Sequence, residues 1–210
     1  MIFSIIALCV TITLLHFFIT FTYGKKKTNI KIIDTINQII NDEKLEIRVE
    51  EKNESPYYDA EKKLIVMPGG ENALNVGTGF HELGHYYDDL DKNYEGEYST
   101  LQYYFMKYSI LVAILSFYGI ILYPYPVTFI IGILFSLVSV YFFTVALREE
   151  IGATKHAKIL MKKYISLTKN EQKSVYLSLY SALSTYIALL IVSLLVLCSN
   201  VYSVAINYIG

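Results

Sequence analysis

The sequence predicts a mainly α-helical, polytopic membrane protein with about four transmembrane helices and a small cytoplasmic α+β domain. Three observations predict it. The 210 residues are 54% hydrophobic with a mean hydropathy of +0.39, too apolar for an ordinary soluble domain. Charge-free runs long enough to cross a hydrocarbon core recur along the chain. All 18 Lys and Arg and all 19 acids are confined to the segments between those runs.

The first run, Ile2 to Tyr23, carries no charge and reads as a span over residues 1–23. A cleaved leader needs positive charge ahead of the run and a small-residue cleavage site behind it. Here Lys25, Lys26 and Lys27 follow instead, so the expectation is a retained span. His16, alone within it, reads as a packed or interface-directed side chain. Residues 24–107 are polar. Tyr108 to Tyr123 and Val127 to Leu147 are two further apolar runs, and "PYP" between them, with Pro124 and Pro126, favours a tight reversal and hence a helical hairpin over 108–147. Residues 148–174 are polar again. Val175 to Cys198 is a fourth charge-free run, leaving 199–210 as an external tail.

Four crossings place 24–107 and 148–174 on one side of the bilayer. The bias of Lys and Arg toward the cytoplasm makes that side cytoplasmic, with both termini outside. A net charge of -1 supplies no field for nucleic acid, and no interleaved aromatic and basic pattern marks a single-strand groove, so nucleic acid is not an expected partner. Cys9 and Cys198 lie in apolar runs without CxxC spacing, so neither a thiolate metal site nor a disulfide framework is suggested.

Within the polar segment, Ile30, Ile32, Ile33, Ile36, Ile39 and Ile40 recur at helical spacing behind Thr28 and Asn29, either of which is a suitable cap. The helix packs on its own domain or lies on the membrane surface; the stripe alone does not decide. "LEIRVE" at 45–50 and "KLIVM" at 63–67 read as short strands that pair antiparallel across the polar "EKNESPYYDAEK". "PGG" at 68–70 ends the second, and a helix follows from about Asn72 through Tyr87.

That helix contains "HELGH". His81 and His85, four apart, share one face and can direct imidazole nitrogens at one ion, with bonds of about 2.0–2.1 Å for tetrahedral zinc. Glu82 points beside such an ion and suits a general base, because zinc lowers the pKa of a bound water toward about 7. With 4 His in the chain, roughly 0.005 occurrences of this pattern are expected by chance. A third protein ligand must return to the same side of the membrane. "LREEIGATKHA", 147–157, offers Glu149, Glu150 and His156. Spacing does not choose cleanly among them, although Glu150, Ala153, Thr154 and Ala157 share a face whose small side chains permit close approach to the histidine helix, which favours Glu150.

With these pieces in order, the chain resembles the YugP-like bacterial membrane-bound neutral zinc metallopeptidases and, more distantly, HtpX-type membrane gluzincins. The similarity covers nearly the whole chain: a leading span, a helix, "LEIRVE", "YYDAEKKLIVM", "HELGH", a hairpin of spans, "EEIGATKHA" and a closing span. It implies a zincin-like domain, one Zn2+ per chain held by His81, His85 and Glu150, and Glu82 as general base. Two departures stand out: "YYDD" follows the second histidine, and Thr154 stands where HtpX-like proteins have an acid.

Several further residues carry candidate roles. Asp88 and Asp89, three and four residues past His85, either orient an imidazole through its other nitrogen or form a solvated acidic face. His156 is a candidate oxyanion stabiliser. Gly77, Gly79 and Gly84 weaken an isolated helix and point to close backbone approach by a neighbour. Tyr57 and Tyr58, beside Asp59, line a cleft or form a packed turn. If Leu64, Ile65, Val66 and Met67 form an edge strand beside the metal helix, an extended peptide or membrane-protein substrate can add to it. Two alternatives stand beside a peptidase acting at the cytoplasmic membrane face: a noncatalytic zinc-containing membrane scaffold, and an intramembrane-cleaving metalloprotease. The latter is disfavoured because "YYDDLDKNYEGE" after the motif cannot sit in hydrocarbon.

Overall fold

The computed structural model describes residues 11, 14–92, 108 and 126–208. They form α1 (Ile32–Glu43), β1 (Arg48–Glu51), β2 (Tyr57–Asp59), β3 (Leu64–Met67), α2 (Ala73–Lys92), α3 (Pro126–Tyr164) and α4 (Lys169–Tyr208), preceded by a short apolar helix, Leu14–Gly24, that ends in a π-helical turn. The chain divides into two compact units. One gathers Leu14–Glu97 and Arg148–Ser184; the other contains the apolar halves of α3 and α4.

In the first unit, Ile32, Ile36 and Ile39 of α1 are fully buried at i, i+4 and i+7, so the helix spends its apolar face on its own domain. Neither expected residue caps it. Lys31 occupies the N-cap position without a side-chain bond, while the Thr28 hydroxyl donates to the Glu71 carbonyl at 2.8 Å, held there by the Lys27–Asn72 bridge. Asn72 instead caps α2, its Oδ1 accepting the Asn75 N–H at 2.8 Å. The remaining core comes from Ile65 and Met67 of β3, Val76, Phe80 and Leu83 of α2, and Ala157, Met161, Val175 and Leu179 of α3 and α4.

The sheet corrects two expectations. Its order is β1-β3-β2, and β1 runs parallel to β3, with Val49 opposite Ile65. The physical reason lies in "EKNESPYYDAEK", which is more than a turn: Tyr57–Asp59 forms a strand that folds back antiparallel on β3 through a tight reversal with Lys63 at φ 46°. Two reversals between β1 and β3 return the chain to its original direction. Leu64, Ile65, Val66 and Met67 therefore form the central strand, buried at every position, and their main-chain bonds are taken on both sides. They are not an edge open to substrate.

The long helices correct others. α3 runs unbroken from Pro126 to Tyr164, so the expected third span and the segment expected to carry the third ligand are one continuous helix. α4 starts at a capping box in which Thr168 Oγ1 accepts the Glu171 N–H at 3.3 Å and Glu171 Oε2 accepts the Thr168 N–H at 2.9 Å. Val175 and Leu179, expected inside the fourth span, are core residues of the first unit, and the expected tail is helical to Tyr208. Among the described residues two helices, Val127–Tyr164 and Lys169–Ile206, are long and apolar enough to cross a membrane, rather than the four expected. Most of the expected second span and the start of the first lie outside the described residues.

In the second unit the two apolar helix halves carry their polar groups inside. Asn200 is fully buried and donates to the Gly132 carbonyl at 3.1 Å and to Ser136 Oγ at 2.8 Å, while Ser136, Ser193 and Ser199 return bonds to carbonyls one turn back. Val127, Ile130, Leu134 and Tyr141 face outward instead.

One carboxylate ties three elements of the first unit together. Glu43, the last residue of α1, accepts from Tyr87 of α2 and from Lys163 (2.6 Å) and Tyr164 of α3. Those bonds, led by Lys163, lower its pKa to about 2. A depressed carboxylate stabilises the fold fully above its unfolded pKa of about 4.5, and that contribution is lost as pH falls toward 2. Denaturant unfolding should show stability declining over this window. Glu43→Gln should cost about 2 kcal/mol at neutral pH and flatten the acid decline; an unchanged decline would count against the assignment.

Candidate metal centre

α2 places His81 and His85 on one face and Glu82 beside them, as the four-residue spacing requires. Their rings meet edge to face with centroids 4.7 Å apart. α3 delivers Glu150 between them: its Oε2 lies 2.8 Å from His81 Nε2 and its Oε1 3.6 Å from His85 Nε2. One ligand atom from each of the three residues falls within 4.8 Å of the others. Four-coordinate zinc with bonds near 2.0–2.1 Å needs donor separations of about 3.3 Å, a value bracketed by the two Glu150 distances. Two imidazoles and one carboxylate are also a donor set that leaves one coordination position for water or substrate. His81 and Glu150 are almost wholly buried, while His85 retains some exposure.

Glu150 reaches the pair because the two helices touch through their backbones. A Cβ on Gly84 would fall 2.1 Å from the Ala153 carbonyl oxygen, and one on Gly152 would fall 2.2 Å from Asp88 Oδ1. Gly84 is therefore required by contact, not by turn geometry. Ala153 and Ala157 are fully buried, as the small-residue face of "EEIGATKHA" leads one to expect. Gly79 serves the same end elsewhere, since a Cβ there would meet Ile32 and Met67 at 2.6 and 2.7 Å.

Burial opposes charge on His81, but the hydrogen bond to Glu150 and the negative charges of Glu150 and Glu82 outweigh it, so the ring's pKa is raised. Burial pushes the Glu82 carboxyl up to about 7; His81 acts against that rise, Glu150 with it, and the backbone N–H of Tyr58 against it. Tyr58 is thus turned toward the catalytic candidate from β2, a juxtaposition that no sequence spacing announces because the two residues belong to different elements. The Tyr58 phenol is itself held protonated, by burial first and then by the charge of Asp89.

The remaining candidates do not join the donor set. Asp88 packs over Gly152 and Asp89 faces the Tyr58 phenol. His156 pairs with Asp91 at 3.2 Å and stacks on Tyr87 with ring centroids 6.0 Å apart. Asp91 sits six residues, about 9 Å of helix, beyond His85.

Comparison with known protein families decides the class: a family model with the description "Putative neutral zinc metallopeptidase" matches residues 1–205. The chain belongs to this family. Membership implies zinc and agrees with the YugP-like resemblance, and His81, His85 and Glu150 form a group that could hold such an ion. No curated protein and no solved structure matches the chain.

Because Gly84 sets the spacing of the two ligand-bearing helices, Gly84→Ala should destabilise the protein by about 2–3 kcal/mol through overpacking and lower its zinc content, read by thermal unfolding and metal analysis of the purified chain. Full zinc retention at unchanged stability would contradict the close approach.

Proposed function

We propose that the chain is a membrane-bound peptidase that hydrolyses peptide bonds at a single zinc held by His81, His85 and Glu150, on the cytoplasmic face of a bilayer. One observation carries this reading: three donors from two sequence-distant helices converge, with an independent carboxyl, Glu82, beside them. Zinc bound there supplies Lewis acidity to water and to the peptide carbonyl. Glu82 takes a proton from the attacking water as the new C–O bond forms. It then returns that proton to the amine nitrogen as the C–N bond breaks. A carboxyl lifted toward neutrality suits both halves of that transfer, since acceptance and donation are then nearly balanced.

Membrane attachment is supported by the apolar outer surface of the second unit and the polar groups buried within it. Buried Ser and Asn between two helices with Val, Ile, Leu and Tyr outward is stable where the surroundings are hydrocarbon and costly in water. The confinement of Lys and Arg to the polar segments supports the cytoplasmic orientation. Membrane or membrane-proximal proteins are the proposed substrates.

The peptide-adding edge moves from β3 to β2. β2 pairs with β3 on one side only, and its Tyr58 N–H is turned toward Glu82, so a peptide extended along its outer side would lie next to the proposed base.

Two experiments test this. Glu82→Gln should retain zinc and lose hydrolysis of a peptide substrate by about 10²- to 10⁴-fold, while Glu150→Ala should lose zinc and Glu149→Ala should keep it; activity surviving Glu82→Gln would support the scaffold alternative. Tyr58→Pro, which removes an outward N–H from the edge strand, should reduce peptide turnover far more than zinc content. Parallel loss of both would argue against the β2 edge.

A further inference from the structure

On the first unit, α3 and α4 leave an open groove of about 460 Å³, lined on the α3 side by Lys155, Lys158, Lys162, Ile151 and Ile159, and on the α4 side by Tyr180 and Leu183. Lys155, Lys158 and Lys162 follow one another at i, i+3 and i+7, so their ammonium groups form a row along one helix face. Among the described residues none of the three pairs with a carboxylate, in contrast to Lys27, Lys62, Lys63 and Lys163, which do. Lys158 Nζ instead donates to the Tyr180 hydroxyl at 2.7 Å, which ties the two walls together. The floor is apolar and open: Ile151 is 51% and Ile159 54% exposed. Thr154, which also lines the groove, is 5% exposed, and its hydroxyl oxygen meets no hydrogen-bond partner.

Position supplies the second half of the case. Ile151 lies four residues, about one helical turn, past Leu147, where the apolar half of α3 ends, and Leu183 stands at the start of the apolar half of α4. A groove with an apolar floor, a row of cations without carboxylate partners among the described residues and this placement is complementary to a molecule with a negative head and a hydrocarbon body. Lysines at such a boundary reach along their own stems to the headgroup level, and basic pockets between membrane helices take anionic headgroups.

We propose that the groove between α3 and α4 binds one anionic phospholipid, its phosphate held by Lys155, Lys158 and Lys162 and an acyl chain laid over Ile151 and Leu183. The site rests on the membrane reading above and lies outside the metal donors. It joins the ligand helix to the bilayer, because Thr154 sits one turn beyond Glu150 on that helix.

The test uses the full chain, purified in neutral detergent and titrated with dioleoylphosphatidylglycerol, dioleoylphosphatidylcholine or inorganic phosphate, with binding read by native mass spectrometry and thermal stabilisation. Phosphatidylglycerol should bind and raise the unfolding temperature, and neither phosphatidylcholine nor phosphate alone should match it. Each lysine near an anionic headgroup is worth about fivefold, so the triple variant Lys155→Gln, Lys158→Gln, Lys162→Gln should bind phosphatidylglycerol roughly 100-fold more weakly. The double variant Lys155→Gln, Lys162→Gln leaves the Lys158–Tyr180 bond in place and should lose roughly 25-fold with unchanged zinc content. Equal binding of the two lipids, equal effect of free phosphate, or wild-type affinity in the double variant would overturn the proposal. Alkaline carbonate extraction of membranes separates the two readings: release of the chain defeats membrane attachment itself, whereas retention without anionic selectivity defeats the lipid site alone.

Discussion

The close contact of two helix backbones at Gly84 and Ala153 governs the rest of the structure. A carboxylate side chain is short, and Glu150 reaches both imidazoles only because α2 and α3 approach without side chains between them. The sequence keeps that contact clear on both sides, with Gly84 on α2 and Gly152, Ala153 and Ala157 on α3. Interiors packed at crystal density do not absorb an added methyl group without displacement, so the separation is held within narrow limits. The same rigidity suits a metal centre, whose ligands must be held to fractions of an ångström.

The second organising feature is the continuity of α3. One helix carries apolar residues over its first half and the candidate ligand Glu150 over its second, so the candidate metal centre is built on a helix rather than on a loop. Glu43 closes the far end of the same assembly by linking α1 to α2 and to the last turn of α3. The small three-stranded sheet lies against these helices with its central strand fully buried, which leaves β2 as the strand that borders the catalytic candidate. Lys155, Lys158 and Lys162, none of them paired with a carboxylate among the described residues, give α3 a second chemical face.

Short-range signals made much of this legible. The i, i+4 histidines, the intervening glutamate, the isoleucine stripe of α1 and the small-residue face after Glu150 all depend on helical periodicity, which acts over a few residues. Strand direction was less accessible. "LEIRVE" and "KLIVM" carry no mark of parallel pairing, because their relative direction is set by whether Tyr57–Asp59 forms a strand, and three residues hold too little pattern to announce one. The long helices misled in a different way. A charge-free run records composition, and Val175 and Leu179 are equally apolar whether they meet lipid or the core of a water-facing domain.

The sequence by itself determined the candidate donor types, the carboxyl beside them and the helix that presents them, since each follows from chemistry within one or two turns of chain. Tertiary structure alone decided the pairing of Glu150 with both histidines, the diversion of His156 to Asp91, the burial of β3 and the turning of Tyr58 toward Glu82. Those outcomes depend on which surfaces meet, across a sequence separation of 69 residues in the case of His81 and Glu150, and packing between elements, unlike periodicity within one, leaves no regular imprint on residue spacing.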